Sequence, residues 1–224
     1  GADIINGGAG ADTITTGDAA DVISPGAGID ILIITDTDAI DTIKLADAEL
    51  GTDTGAIGSV AIDVVTGFLL GSGNDKISID ISAIKAIGGV IDFVLVGNAA
   101  APVAAGAGIL KAGGDDATDL GAATTTANYI EVLDGGVEGG ALEALLEING
   151  ANQLTANGAF AVGDAFLVLS DNAINTALFL IIVGAVTNND ATFASGSLTA
   201  VELITLVGVA DASGSHASNF VFVD

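Results

Sequence analysis

Gly7-Gly8-Ala9-Gly10-Ala11-Asp12-Thr13-Ile14-Thr15 is the clearest copy of a short repeat that occupies the front of the chain. Aspartates recur at Asp3, Asp12, Asp21 and Asp30, nine residues apart each time. An apolar residue follows each by two positions: Ile5, Ile14, Ile23 and Leu32. Glycines precede them: Gly1 in the first unit, Gly7, Gly8 and Gly10 in the second, Gly17 in the third, Gly26 and Gly28 in the fourth. Each unit therefore has a polar Gly/Asp half and an alternating half. The alternating half suits a short strand that buries one Ile or Leu. The glycines permit the positive φ angles of a tight turn and leave backbone carbonyls uncovered.

A hard cation such as calcium takes roughly 6–8 oxygen ligands, from carboxylates and carbonyls. One Gly/Asp turn offers about half of such a set. If two units complete one turn of a coil, units two apart stack on the same side. Asp3 then faces Asp21 and Asp12 faces Asp30, each pair sharing ions between coils. Without a cation, stacked carboxylates repel. The coil is thus expected to form only with metal, so that binding energy becomes folding energy. Ordinary Gly/Asp turns between strands are the plainer reading, because both residues are common in turns. Aspartates and apolar residues kept in one register argue for the metal. The third unit departs from the pattern with Asp18 and Ala19, and the fourth opens with Pro25. Both departures weaken the sites at that end.

After Leu32 the repeat breaks. Residues 33–38 remain strand-like, and Asp36, Asp38 and Asp41 are expected to cap the coil. A second block covers residues 64–82, where Gly71, Gly73, Asp75 and Ile77 repeat the earlier spacing. It reads either as an isolated metal turn or as a simple hairpin. The candidate metal-binding residues are Asp3, Gly8, Gly10, Asp12, Gly17, Asp21, Gly26, Gly28, Asp30, Asp36, Asp38, Gly73 and Asp75.

The first block resembles the Gly/Asp-rich nonapeptide of RTX proteins, a calcium-binding repeat. The second is similar to the segment that follows those repeats, matching at Phe68, Gly73, Asp75, Ile77 and Ile79, with Ser82 displaced. Further on come the apolar run 164–172, residues 176–186, a turn at Asn188-Asn189-Asp190, a run 203–207 and the final Asn219-Phe220-Val221-Phe222-Val223-Asp224. That order resembles the C-terminal domain of secreted RTX surface proteins. The resemblance implies calcium as cofactor, export by a type I system that reads an uncleaved C-terminal signal, and folding outside the cell. Here the terminal acid follows the apolar run instead of preceding it. The Ala/Thr/Gly-rich, Lys-poor, Cys-free style also resembles bacterial surface-layer proteins.

The chain has 224 residues, enough for one large or two small domains. Half of them are hydrophobic but only 4% are aromatic, so the core must be built from Ala, Val, Ile and Leu. Against 29 acidic residues stand 4 basic ones, a formal charge of -25. Such a chain does not bind nucleic acid or anionic membranes, which need Lys and Arg. Bound divalent cations would offset the repulsion. With no cysteine, neither disulfides nor thiolate metal sites hold the fold. No run reaches the ~20 apolar residues that span a bilayer. The chain opens within a repeat unit, without Met and without a signal peptide, as expected of a piece of a longer polypeptide. Weak calcium sites favour an exported protein, because calcium is millimolar outside cells.

Residues 91–96 and 124–133 read as strands, and residues 99–110 and 177–186 as buried strands or turns. Residues 141–148 are good helix formers. Asn149-Gly150 and Asn157-Gly158 are turn signals. Thr199 and Glu202 have the spacing of a capping box, which predicts a short helical turn. The one histidine, His216, sits in a Gly/Ser-rich loop. A triad of Ser215, His216 and Asp211 can be written on paper, but no nucleophile elbow accompanies it. Zinc would want several His or Cys. Gly8-Ala9-Gly10 is no dinucleotide loop, because its acidic neighbours repel phosphate.

The sequence thus predicts a mainly all-β protein. An N-terminal parallel β-roll of calcium-binding nonapeptides precedes a β-rich, sandwich-like C-terminal region with one or two short helices. The expected division is 1–45, 46–126 and 127–224. The expected role is structural and not enzymatic: a calcium-stabilised, self-assembling module of a secreted, cell-surface protein, in a surface layer or extracellular filament. The alternatives are a monomeric export and folding domain of a large RTX adhesin, or the non-catalytic tail of an exported enzyme. The expected partner is the protein itself, as homo-oligomer, lattice or filament, with cell-surface polysaccharide as a further candidate. Nucleic acid and small-molecule substrates are not expected.

Overall fold

The alternating halves of the repeat form strands. The computed structural model describes residues 1–35, 38–45, 62–71, 73–87, 92–95, 98–102, 106–113, 128–133, 160–185, 193–210, 212 and 219–223. The first strands are β1 (Ile4–Ala9), β2 (Thr13–Thr15), β3 (Val22–Ala27), β4 (Ile31–Ile33), β5 (Thr42–Leu45), β6 (Val64–Thr66) and β7 (Lys76–Asp80). They pair in parallel as two ladders, β1-β3-β5-β7 and β2-β4-β6, and the chain passes from one to the other at every turn.

Register explains why the apolar residues recur. Ile5, Ile23, Ile43 and Ile77 lie side by side in the first ladder. Ile14, Leu32 and Val65 do so in the second. All but Ile5 are buried, and Ile5 packs partly buried against the same core. A fully buried side chain of this size contributes roughly 1.5–3 kcal/mol, and a one-residue slip would turn the whole row to solvent.

The segment 64–82 is not a hairpin. β6 lies beside β4 and β7 beside β5, each in parallel, so the intervening turn carries the chain from one ladder to the other. After β7 comes a helix that sequence reasoning missed, α1 (Ile81–Ala86). Asp80 caps it, its Oδ1 accepting from the backbone N–H of Ser82 and Ala83 and from the Ser82 hydroxyl. An Asp with Ser two residues on was a readable start signal. The strand pattern on either side hid it.

The remaining strands are β8 (Asp92–Leu95), β9 (Asn98–Pro102), β10 (Gly106–Gly113), β11 (Asn128–Leu133), β12 (Asp164–Asp171), β13 (Asn175–Val183), β14 (Leu198–Val207) and β15 (Phe220–Val223). The main sheet runs β1-β3-β5-β7-β15-β10-β11-β12-β13-β14-β6-β4-β2, with β8 beside β12 and β9 beside β8. It is mixed. β12, β13 and β14 are antiparallel, whereas β14 meets β6 and β15 meets β7 in parallel. The two C-terminal strands thus cover the free edges of β6 and β7. Phe220 continues the row at Ile77, and Leu206 the row at Val65.

β12 and β13 are buried on both faces. Leu167, Leu169, Leu178 and Leu180 share the core of the coil. Phe166, on the opposite side of β12, meets Phe160 edge-on with ring centroids 5.8 Å apart, and Phe193 lies 5.4 Å from Phe160. The helical turn expected at Thr199 and Glu202 is instead part of β14. Pairing with β13 along this stretch outweighs a local cap, and it leaves Thr199 exposed while Glu202 is buried. Among the described residues no helix is long and apolar enough to cross a membrane. The helix expected at 141–148, the turns at 149–150, 157–158 and 188–190, and His216 lie outside the described residues.

Candidate metal centre

The aspartates are the rungs of two hydrogen-bonded columns. In one, the N–H of Asp3 donates to Asp21 Oδ1 (2.7 Å), that of Asp21 to Asp41 Oδ1 (2.7 Å), and that of Asp41 to Asp75 Oδ1 (3.0 Å). In the other, the N–H of Asp12 donates to Asp30 Oδ1 (2.7 Å) and that of Asp30 to Asp63 Oδ1 (2.9 Å). The carboxylates of Asp21, Asp30, Asp41, Asp63 and Asp75 are thus each aimed by the coil that precedes them. The facing pairs predicted from the nonapeptide spacing, Asp3 with Asp21 and Asp12 with Asp30, are present.

The second oxygens are the informative ones. Oδ2 of Asp12, Asp21 and Asp30 is buried and accepts no hydrogen bond. Asp21 and Asp30 are themselves 1% and 0% exposed. A buried carboxylate oxygen without a donor is costly, and a cation is the group that relieves it.

The turns supply the other half of the donor set. Gly8, Gly10, Gly26 and Gly28 all have positive φ, between 98° and 136°. A Cβ on Gly26 would lie 2.0 Å from Gly8 O, and one on Gly28 would lie 2.3 Å from Gly10 O. Successive turns therefore stack backbone on backbone, with the Gly10 N–H donating to Ala27 O at 2.7 Å. Only glycine leaves room for this approach, and it leaves carbonyls bare. Among the described residues no three His, Cys, Asp or Glu side chains converge as a metal cluster. An ion in these turns would take carboxylate oxygens together with backbone carbonyls, the set a hard cation prefers.

The turns on the other side of the coil are built differently. Gly17 lacks the positive φ that its counterparts share, and Ala19 is left-handed at φ 87°. Thr35 replaces glycine stacking with side-chain bonds. Its hydroxyl donates to Thr16 O (2.8 Å), and its N–H donates to Thr16 Oγ1 (3.3 Å). Asp18 and Asp38 are exposed. Asp36 lies outside the described residues. Asp41, expected at a cap, is instead a rung of the column. Gly73 has φ 80° with open space beside it. Asp75 is a rung whose Oδ2 also accepts the Leu69 N–H (2.8 Å). Asp63 is the rung that sequence reasoning missed. Ser59 and Ala61 stand four and two positions before it, where Asp12 and Asp30 have glycine, and its spacing is irregular; its one signal was the apolar Val65 two positions on.

Residues 1–32 match the family model of the RTX calcium-binding nonapeptide repeat, in four copies. RTX nonapeptide repeats bind calcium, so calcium is the cofactor of this block. The buried Oδ2 atoms and the stacked glycine turns fit that ion. RTX repeat proteins are typically secreted, which agrees with an extracellular location. No curated protein and no solved structure matches the chain.

Proposed function

We propose that this chain is a calcium-stabilised structural module of a secreted bacterial cell-surface protein, in which the RTX repeats form a β-roll that winds up when it meets extracellular calcium. The observation that carries this reading is the set of buried, unpartnered Oδ2 atoms on Asp12, Asp21 and Asp30. Carboxylates so placed oppose folding until a cation arrives. In this reading the module has no catalytic role and assembles with copies of itself in a surface layer or filament.

A second reading is favoured by a specific feature. β14 and β15 cover the edges of β6 and β7, so strand pairing is blocked at that end of the coil. A blocked edge suits a monomeric export and folding domain better than a head-to-tail filament. Circular dichroism with millimolar calcium and with EDTA, read beside sedimentation over a range of concentrations, tests both. Strand signal that appears only with calcium supports the module. Growth in size with concentration supports assembly, and a constant monomer supports the export domain. A strand signal unchanged by EDTA overturns the calcium-dependent reading.

A further inference from the structure

We infer that the last turn of the coil is closed by the side-chain amide of Asn219 in place of a cation. The inference rests on the reading above, that the earlier turns hold calcium. Asn219 precedes β15 and is 0% exposed. Its Oδ1 accepts the Gly71 N–H at 2.9 Å. Its Nδ2 donates to Asp75 O at 2.7 Å and to Gly71 O at 3.2 Å. These bonds fix the orientation of the amide, because one end meets a donor and the other meets two carbonyls.

Gly71 O is a turn carbonyl of the kind an ion would take, whereas Asp75 O stands where the Asp3, Asp21 and Asp41 carbonyls accept a backbone N–H of the next coil. Asp75 Oδ1 accepts the Asp41 N–H, and Asp75 Oδ2 accepts the Leu69 N–H. Leu70 O accepts from Asn74 Nδ2 at 2.7 Å. Gly71 O accepts from the Asn74 N–H as well. In this turn both carboxylate oxygens and three carbonyls are therefore occupied by amide donors. At Asp12, Asp21 and Asp30 the second carboxylate oxygen is buried and bare. The Asn219 NH2 group carries partial positive charge to the carbonyls of Gly71 and Asp75. It comes from a residue 148 positions later in the chain than Gly71. The coil thus ends on a neutral plug that needs no metal, against which the metal-dependent turns can stack.

The test is calcium titration by calorimetry on the full chain, with thermal melts at saturating calcium, for the wild type, Asn219→Ala, Asn219→Asp and Asp75→Asn. Asn219→Ala is expected to bind as many ions as the wild type and to melt roughly 4–8 °C lower, the effect of stranding buried groups in a chain of this size. Asn219→Asp sets a carboxylate beside two carbonyls and is expected to bind one ion more. Asp75→Asn is expected to bind the wild-type number. An unchanged melt for Asn219→Ala, or one ion fewer in Asp75→Asn, overturns the inference. If Asn219→Ala does not fold, the ion count of Asp75→Asn decides. A wild type that binds no calcium overturns the proposed function instead, and the Asn219→Ala melt still decides whether the amide closes the turn.

Discussion

The backbone N–H of Asp12 donates to Oδ1 of Asp30 at 2.7 Å, from one coil to the next. This bond fixes which carboxylate oxygen is left over, and the leftover Oδ2 is buried without a donor. The two oxygens of Asp30 thus have separate tasks. One holds the coils in register, and the other is left without a donor, as the proposed cation site requires.

Asp30→Asn separates those tasks. The amide oxygen can still accept the Asp12 N–H, while an NH2 group and a lost charge replace the ligand. Calcium affinity at this turn should fall roughly tenfold or more, because ligand charge sets the affinity of such sites. The protein should still fold when calcium saturates. A calcium titration followed by circular dichroism checks this. A midpoint equal to that of the wild type would show that Asp30 is no ligand.

Gly26 and Gly8 have nearly the same φ, 98° and 99°, but different surroundings. A Cβ on Gly26 would meet Gly8 O at 2.0 Å, whereas nothing lies within 4 Å of one on Gly8. Gly8→Ala should therefore cost only the left-handed backbone, roughly 1–2 kcal/mol. Gly26→Ala should cost more than this, because the stacked turns must also separate. Urea unfolding at fixed, saturating calcium measures both. Equal losses would mean that stacking does not limit the turn.

Ala19 stands at φ 87°, in the region glycine occupies in the Gly10 and Gly28 turns. Ala19→Gly should relieve that strain. The gain is partly offset by the greater freedom of glycine in the unfolded chain, leaving about 0.5–1 kcal/mol of added stability. A rise in the urea midpoint with unchanged slope is the expected result. A fall would show that the turn prefers its alanine.

The carboxyl of Asp80 is held below the usual carboxylate range, chiefly by the Ser82 hydroxyl, with the Ala83 and Ser82 amides adding to it against the opposing effect of partial burial. A folded-state pKa below the unfolded value gives stability that is complete above the unfolded pKa, about 3.9. That stability is lost as pH falls through the folded value. Asp80→Ala should cost about 1 kcal/mol near neutrality, the usual worth of a helix cap. The gap between wild type and variant should close below about pH 4. Melts of the two proteins from pH 7 downward test this, and a gap independent of pH would contradict it.

Much of the coil was legible because its information is local. Nine-residue spacing places Asp3, Asp12, Asp21 and Asp30 before the inward Ile5, Ile14, Ile23 and Leu32, and the strand period of two does the rest. Where the spacing loosens, legibility fails. The loosened spacing places Asp41 at a cap and leaves Asp63 unmarked. What joins each to its own column is a hydrogen bond between residues 20 or 33 positions apart. The turn at Gly73 and Asp75 was ambiguous for the same reason. Its neighbour in space, Asp41, is 34 positions away.

By itself the sequence determined the repeat, its alternation, the inward row of Ile and Leu, and the ion that its carboxylates and bare carbonyls suit. Each of these follows from contacts within a unit or between units at constant spacing. Tertiary structure alone decided which oxygen of Asp21 and Asp30 stays free, that β14 and β15 cover the edges of β6 and β7, and that Thr199 and Glu202 belong to a strand. Those outcomes depend on backbone groups far apart in the chain. A buried N–H takes whichever acceptor the fold brings to it.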